Sequence, residues 1–130
     1  MGLPSLSADL IQELTIILER VARDINLEAL AVITKTGRKV AFWSAHQRVD
    51  PDLLAALSAA MCSMGDETVA KLKEGDLFEV IVRGSKGYAI TTSAGPKLAL
   101  IGASYEPENL GLIVRIMREA AKKIADALKM

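Results

Sequence analysis

The chain has 130 residues, of which 51% are hydrophobic and 25% are charged, and its formal net charge is zero. This length and composition predict one globular domain with a substantial core. A balanced charge argues against nucleic-acid binding, which normally needs a basic surface, and against electrostatic docking to an anionic membrane. No apolar run is long enough to span a bilayer, so direct membrane insertion is not expected.

Residues with reactive side chains are scarce. A single cysteine allows no internal disulfide and no cysteine-based zinc cluster, and it is typical of a reducing compartment, so a cytoplasmic location is expected. His46 is the only histidine and lies in a predicted loop, which indicates a surface residue. Cys62 lies among apolar residues without a partner base, which indicates an inert packing residue. The sequence therefore predicts no catalytic residue, no metal and no cofactor.

Hydrophobic periodicity divides the chain into helices and strands. Helices are expected at residues 8–26, 51–73 and 107–128, and strands at residues 27–34, 39–44, 77–83, 88–92 and 97–103. A hairpin, a helix and a three-stranded meander predict a five-stranded antiparallel sheet with helices on both faces, which is an α+β fold. Residues 1–7 are expected to be a flexible leader, and residues 8–128 a single domain.

The central helix is expected to organise the fold because residues 53–65 carry no charge. Asp50 and Pro51 are typical of a helix start, and Asp52 favours the positive end of the helix dipole. The larger residues predict a core stripe, formed by Leu54, Leu57, Met61, Met64, Thr68 and Leu72. The small residues predict close contact with a second chain, and they are Ala55, Ala56, Ala59, Ala60, Cys62 and Ser63. A helix enclosed on all sides within one larger domain is the alternative.

Three features allow more than one interpretation. Trp43 could anchor either the core or an interface. Met61 and Met64 could line a ligand pocket, although core methionines are the simpler interpretation. The turn at residues 84–87 has the residue types of a phosphate loop, but it lacks the spacing and joins two strands, so a plain hairpin turn is expected.

Three stretches together resemble the Roadblock family of small dimeric proteins. They are residues 30–37 with the returning strand, the small-residue helix as far as residue 67, and residues 109–113 followed by 118–121 in the last helix. The resemblance covers residues 8 to 128. The first hairpin departs from the family pattern, because Lys35, Thr36 and Gly37 stand where an Asp-Gly pair is common.

The resemblance implies a profilin-like fold and a dimer, formed with a second copy or with a related chain. It implies that the third strand pairs with its mate to make one continuous sheet, which places Phe78, Val80 and Val82 at the interface. It also implies that the central helices lie side by side on one face, whereas the first and last helices cover the other face.

The same resemblance implies a non-enzymatic, dimeric regulator or scaffold of a Ras-like small GTPase. Arg38, Arg48 and Asp52 are exposed candidates for contacts with that GTPase. One alternative is a structural adaptor in a motor or membrane-trafficking assembly that binds no GTPase. Another is a small-molecule sensor that uses a pocket near Met61 and Cys62.

Overall fold

Three helices and five strands follow one another in the predicted order in the computed structural model, which describes residues 7–105 and 109–128. The helices are α1 (Ala8–Asp24), α2 (Pro51–Lys71) and α3 (Leu110–Ala127). The strands are β1 (Ala29–Thr34), β2 (Lys39–Ser44), β3 (Glu79–Gly84), β4 (Gly87–Ala94) and β5 (Leu98–Ser104). The expected leader, apart from Ser7, and the expected start of the last helix at residue 107 lie outside the described residues.

The strands form one antiparallel sheet in the order β2-β1-β5-β4-β3. β1 and β5 lie in the interior of the sheet and are buried along almost their whole length. Burial on both faces explains why their sequences are nearly continuous apolar runs. β2 and β3 are the two edges of the sheet.

Helices cover both faces of the sheet, as the sequence predicts. α1 and α3 pack together on one face, where Leu14, Met117 and Leu100 are fully buried. α2 lies on the other face, over Ala31 and Ile101 of the two inner strands. A single helix is too narrow to cover five strands, and the β3 side of this face stays open.

Side-chain caps begin the first two helices, and the cap of α2 is the one that the sequence predicts. Ser7 accepts a hydrogen bond from the backbone amide of Leu10 at 3.1 Å. Asp50 accepts one from the amide of Asp52 at 3.0 Å, and Pro51 occupies the first position of α2. Each cap satisfies an amide that has no partner inside the helix, which explains the sharp start of both elements.

The expected core stripe of α2 is only partly confirmed, because Leu54 is buried and Met61 is partly buried against the sheet but the other four residues are exposed. The residues of α2 that are buried against the sheet are Leu54, Ala55, Ser58 and Cys62, whereas Leu57, Met64, Thr68 and Leu72 of the expected core stripe are exposed. The small side chains of Ala55 and Cys62 let the helix lie close to the sheet. The buried hydroxyl groups of Ser58 and Thr91 lie 3.2 Å apart and form a hydrogen bond. Because residues 53–65 carry no charge, this part of the helix has no charged face that could reveal its orientation.

Candidate interaction surface

An open apolar groove runs between α2 and β3. Its volume is about 670 Å³, and its walls include Leu57, Ala60, Met61, Met64, Val80 and Val82; we call it the α2–β3 groove. Several large apolar side chains stand exposed along it, since Leu57 is 52% and Met64 is 68% exposed. A monomeric soluble protein rarely exposes apolar side chains in such a continuous row. The groove therefore has the character of a surface that another molecule covers.

The two edges of the sheet differ in their readiness to pair with another strand. β2 carries a bulge, because Val32 pairs with Ala41 while the next residue, Ile33, pairs with Lys39, which leaves Val40 unpaired. A bulge and an edge lysine both discourage pairing with a further strand. By contrast, β3 pairs all six of its residues with β4 in an unbroken register. Its outer edge is therefore regular and open.

The residues expected at a dimer interface are distributed over different environments. Ala55 and Cys62 are buried in the chain's own core, against the sheet. Ala59 is half-buried beside Gly37 of the first hairpin. The others remain at the surface or in the groove, and they are Ala56, Ala60, Ser63, Phe78, Val80 and Val82. The exposed side of α2 thus combines small and large apolar residues.

The expected GTPase contacts do not form one cluster. Arg38 is exposed in the turn after β1, whereas Arg48 and Asp52 lie beyond the other end of that strand. Six residues of strand separate the two places by about 20 Å. Asp52 is exposed in the first turn of α2.

Arg48 is held by a carboxylate that the sequence did not reveal as important. Its guanidinium is 61% exposed, but Nε donates to Oε1 of the buried Glu28 at 2.7 Å. It also lies 5.6 Å from the ring centre of Tyr105. His46 Nδ1 lies 3.2 Å from the other oxygen of Glu28. Burial of Glu28 would raise its pKa, but hydrogen bonds from Arg48 and His46 outweigh burial and lower the pKa below its ordinary value.

A second carboxylate, Glu79, lies at the start of the edge strand. Arg118 of α3 donates to its Oε1 through Nε at 3.0 Å and through Nη2. Glu79 is only 14% exposed, and its other oxygen, Oε2, is buried without a hydrogen-bond partner in the described part of the chain. In the sequence, Glu79 is marked only as an acidic residue inside an apolar run, and its partner Arg118 lies 39 positions away.

The structure also locates the residues that were considered for chemistry. Among residues 7–105 and 109–128, no group of three or more His, Cys, Asp and Glu side chains is placed to hold a metal ion. Cys62 is buried, and burial raises the pKa of its thiol, which disfavours the reactive thiolate. Trp43 is partly buried against the core on the α1–α3 face. Within the same described ranges, none of the helices combines the length and apolar composition of a membrane span.

Solved structures with the same fold cover nearly the entire chain. A structure described as MglB with tetrameric arrangement superposes with a TM-score of 0.88 at 20% identity, covering 99% of this chain and 97% of that chain. The gliding protein MglB from Thermus thermophilus gives a TM-score of 0.87 at 20% identity, covering 99% and 98%. LokiProfilin1, solved in complex with rabbit actin, gives 0.63 at 14% identity, covering 95% and 98%. These similarities confirm the expected profilin-like architecture.

A family model supplies the more specific relationship. No curated protein matches the sequence at a significant level. The model of the Roadblock/LC7 domain, however, matches residues 13–102, from the middle of α1 to β5, and so includes both the groove and the open edge. The chain belongs to the Roadblock/LC7 domain family.

Proposed function

We propose that this chain is a non-enzymatic, dimeric regulator or scaffold of a Ras-like small GTPase. The observation that carries the proposal is the α2–β3 groove beside a regular, open strand edge. Family membership supports the choice of partner, because Roadblock proteins include scaffolds and regulators of small GTPases. The dimer would position catalytic residues that belong to the GTPase itself.

The groove and the edge support a dimer through two kinds of contact. Pairing of β3 with its mate would satisfy the outward backbone groups of both edges. It would also bring two α2 helices together over the joined sheets and cover Leu57 and Met64. Burial of each such side chain contributes about 1.5–3 kcal/mol, so a few of them offset the entropy cost of association. The mate is a second copy of the chain or a related Roadblock chain.

The GTPase would bind across the paired α2 helices and the ends of the sheet. Arg38 and Asp52 are free to contact it, because both side chains are exposed. Arg48 would have to leave Glu28 and Tyr105 before it could reach a partner. It therefore contributes to GTPase binding mainly by holding the loop that precedes α2.

A charge in the groove tests the dimer. Leu57→Asp places a carboxylate where the mate would exclude water, so we expect a folded chain with half the wild-type mass by light scattering. Ile16→Asp is the matched control, since Ile16 is 42% exposed on α1, on the opposite face of the sheet. A wild-type monomer, or dissociation by both variants alike, would count against the groove as the dimer interface.

Calorimetry with purified Ras-like GTPases from the same source tests the partner. Each GTPase is titrated in its GDP-bound form and with a non-hydrolysable GTP analogue. We expect saturable binding by the wild type and weaker binding by Leu57→Asp. No heat at high micromolar concentration across several GTPases would refute the proposal. A stoichiometric complex without any GTPase would support the adaptor, and a thermal shift with a metabolite panel would support the sensor.

A further inference from the structure

We propose that two copies of this chain pair through β3 in one specific register, with Ile81 opposite the partner's Ile81 and Glu79 opposite the partner's Arg83. The inference deepens the proposed function and rests on its dimer. It identifies which side chains of the open edge recognise the second copy. Four observations support it: the direction of the backbone groups, the position of two opposite charges, the apolar residues of the other face, and a glycine at the end of the strand.

The hairpin between β3 and β4 determines which backbone groups face outward. Phe78 O accepts a hydrogen bond from the amide of Ser93 at 3.0 Å. Hydrogen-bonded and non-hydrogen-bonded positions alternate along an antiparallel pair, so residues 78, 80, 82 and 84 direct their backbone groups toward β4. Glu79, Ile81 and Arg83 must then direct theirs toward the open edge. These three residues are the only positions in β3 that can hydrogen-bond with a second strand.

A two-fold axis at Ile81 lets all three of these residues hydrogen-bond with the second strand. Residues 79 and 83 of one copy then face residues 83 and 79 of the other, and Ile81 faces itself. A shift by two residues toward the start of the strand would place Glu79 opposite Ile81, and Arg83 opposite Leu77, which precedes the strand. A shift in the other direction would place Ile81 opposite Arg83, and Glu79 opposite Ser85 in the turn. Each shifted register loses backbone bonds within the strand.

The central register also pairs opposite charges on the α1–α3 face. Glu79 lies on this face, where its side chain is 14% exposed and Arg118 of the same chain holds its Oε1. Arg83 lies on the same face of the strand, is exposed, and has no hydrogen bond or ion pair within the described residues. Opposite charges that face each other across two strands stabilise the pair, whereas like charges destabilise it. By symmetry the dimer contains this contact twice.

The groove face is complementary in the same register. Val80 lies opposite the partner's Val82 at a non-hydrogen-bonded position, where cross-strand side chains come closest. Phe78, which is 74% exposed, lies opposite the partner's Gly84. An aromatic ring across from a glycine covers backbone that the glycine leaves bare. Both faces of the strand therefore favour an axis at Ile81.

Disulfide trapping tests the register directly. In the proposed pairing, the Cα atoms of residue 80 and the partner's residue 82 lie about 4.5 Å apart, which suits a disulfide. Residue 80 lies about 7–8 Å from its own mate, which is too far. The double variant Val80→Cys with Val82→Cys should therefore give a covalent dimer on oxidation, and each single variant should not. Wild type treated in the same way is the control, because Cys62 is buried.

Each outcome of the trapping experiment decides the register. A crosslink in Val80→Cys alone, or in Val82→Cys alone, overturns the proposed register and identifies one of the shifted ones. No crosslink in any variant, from a wild type that sediments as a dimer, shows that the dimer does not pair through β3. A monomeric wild type overturns the dimer itself, and with it the proposed function.

A charge reversal tests the same contact without cysteine. Arg83→Glu should raise the dimer Kd about tenfold or more by sedimentation equilibrium, because it sets like charges opposite Glu79 at two places. Lys86→Glu makes the same change of net charge in the adjacent turn and should change the Kd less than about threefold. Arg83→Lys should stay close to wild type. Equal effects of Arg83→Glu and Lys86→Glu would overturn the proposed contact.

Discussion

The glycine in the middle of α2 gives a sharp test of how that helix packs against the edge strand. A Cβ added at Gly65 would lie 2.7 Å from Val80 Cγ2 and 2.9 Å from Leu77 Cδ2. Both distances are below ordinary van der Waals contact. Val80 is stiff at χ1 and cannot easily turn away, whereas the half-buried Leu77 has more freedom. We therefore expect Gly65→Ala to strain the contact between α2 and β3.

Two opposing effects set the size of the change. Replacing glycine by alanine inside a helix stabilises it by about 1 kcal/mol. Overpacking a close contact costs about 1–3 kcal/mol, and here the strain meets two side chains at once. The net expectation is a loss of about 1 kcal/mol in the free energy of unfolding, which lowers Tm by about 3–5 °C for a chain of this size.

Gly111→Ala is the matched control. Gly111 lies in the first turn of α3, and nothing lies within 4 Å of its added Cβ. The control should therefore stabilise the chain by up to about 1 kcal/mol. Urea unfolding followed by circular dichroism, at one protein concentration, measures both variants against wild type. If Gly65→Ala stabilises the chain as much as Gly111→Ala does, the described packing of α2 on Leu77 and Val80 is wrong.

Two further predictions concern the buried carboxylates. Glu28→Gln should destabilise the chain by about 1 kcal/mol at neutral pH, a value reduced for the exposure of Arg48. Because folding lowers the pKa of Glu28, its contribution exists above the unfolded pKa of about 4.3 and is lost as pH falls through the folded value. Urea unfolding should therefore show the full difference from wild type at pH 7 and a difference that shrinks as pH falls below about 4.3; a difference independent of pH would contradict the ionised pair. Arg118→Gln should lower the free energy of unfolding by about 1 kcal/mol in the same assay, because it leaves Glu79 buried without its cation. Arg115→Gln is the control: it removes an exposed ion pair with Glu119 at 3.8 Å and should change the free energy of unfolding by less than about 0.5 kcal/mol. Equal losses from the two arginine variants would contradict the difference in burial.

Local patterns were sufficient to predict the architecture. Alternation and helical periodicity identify all eight elements in order, and Asp50 with Pro51 locates the start of α2. The orientation of α2 could not be predicted, because a helix with no charged residue from position 53 to position 65 has two plausible inner faces. The sheet decides between them through the space it leaves, which favours Ala55 and Cys62 over larger residues.

The carboxylate contacts escaped prediction for a different reason. Glu28 meets Arg48 across 20 positions, and Glu79 meets Arg118 across 39. Such pairs depend on which strand ends and helix faces become neighbours, and no periodicity along the chain encodes that. The same limit applies to Arg38 and Arg48, which look alike as exposed arginines in the sequence but lie at opposite ends of β1.

The bulge at Val40 has a consequence for how far assembly can proceed. A sheet with two regular edges can add copies without limit, as cross-β fibres do. This sheet has one regular edge, at β3, and one interrupted edge, at β2. Each copy therefore has one edge that can pair with the edge of another copy. Any sheet that forms through β3 ends on both sides in a bulged β2, so the growth of the sheet stops at two copies.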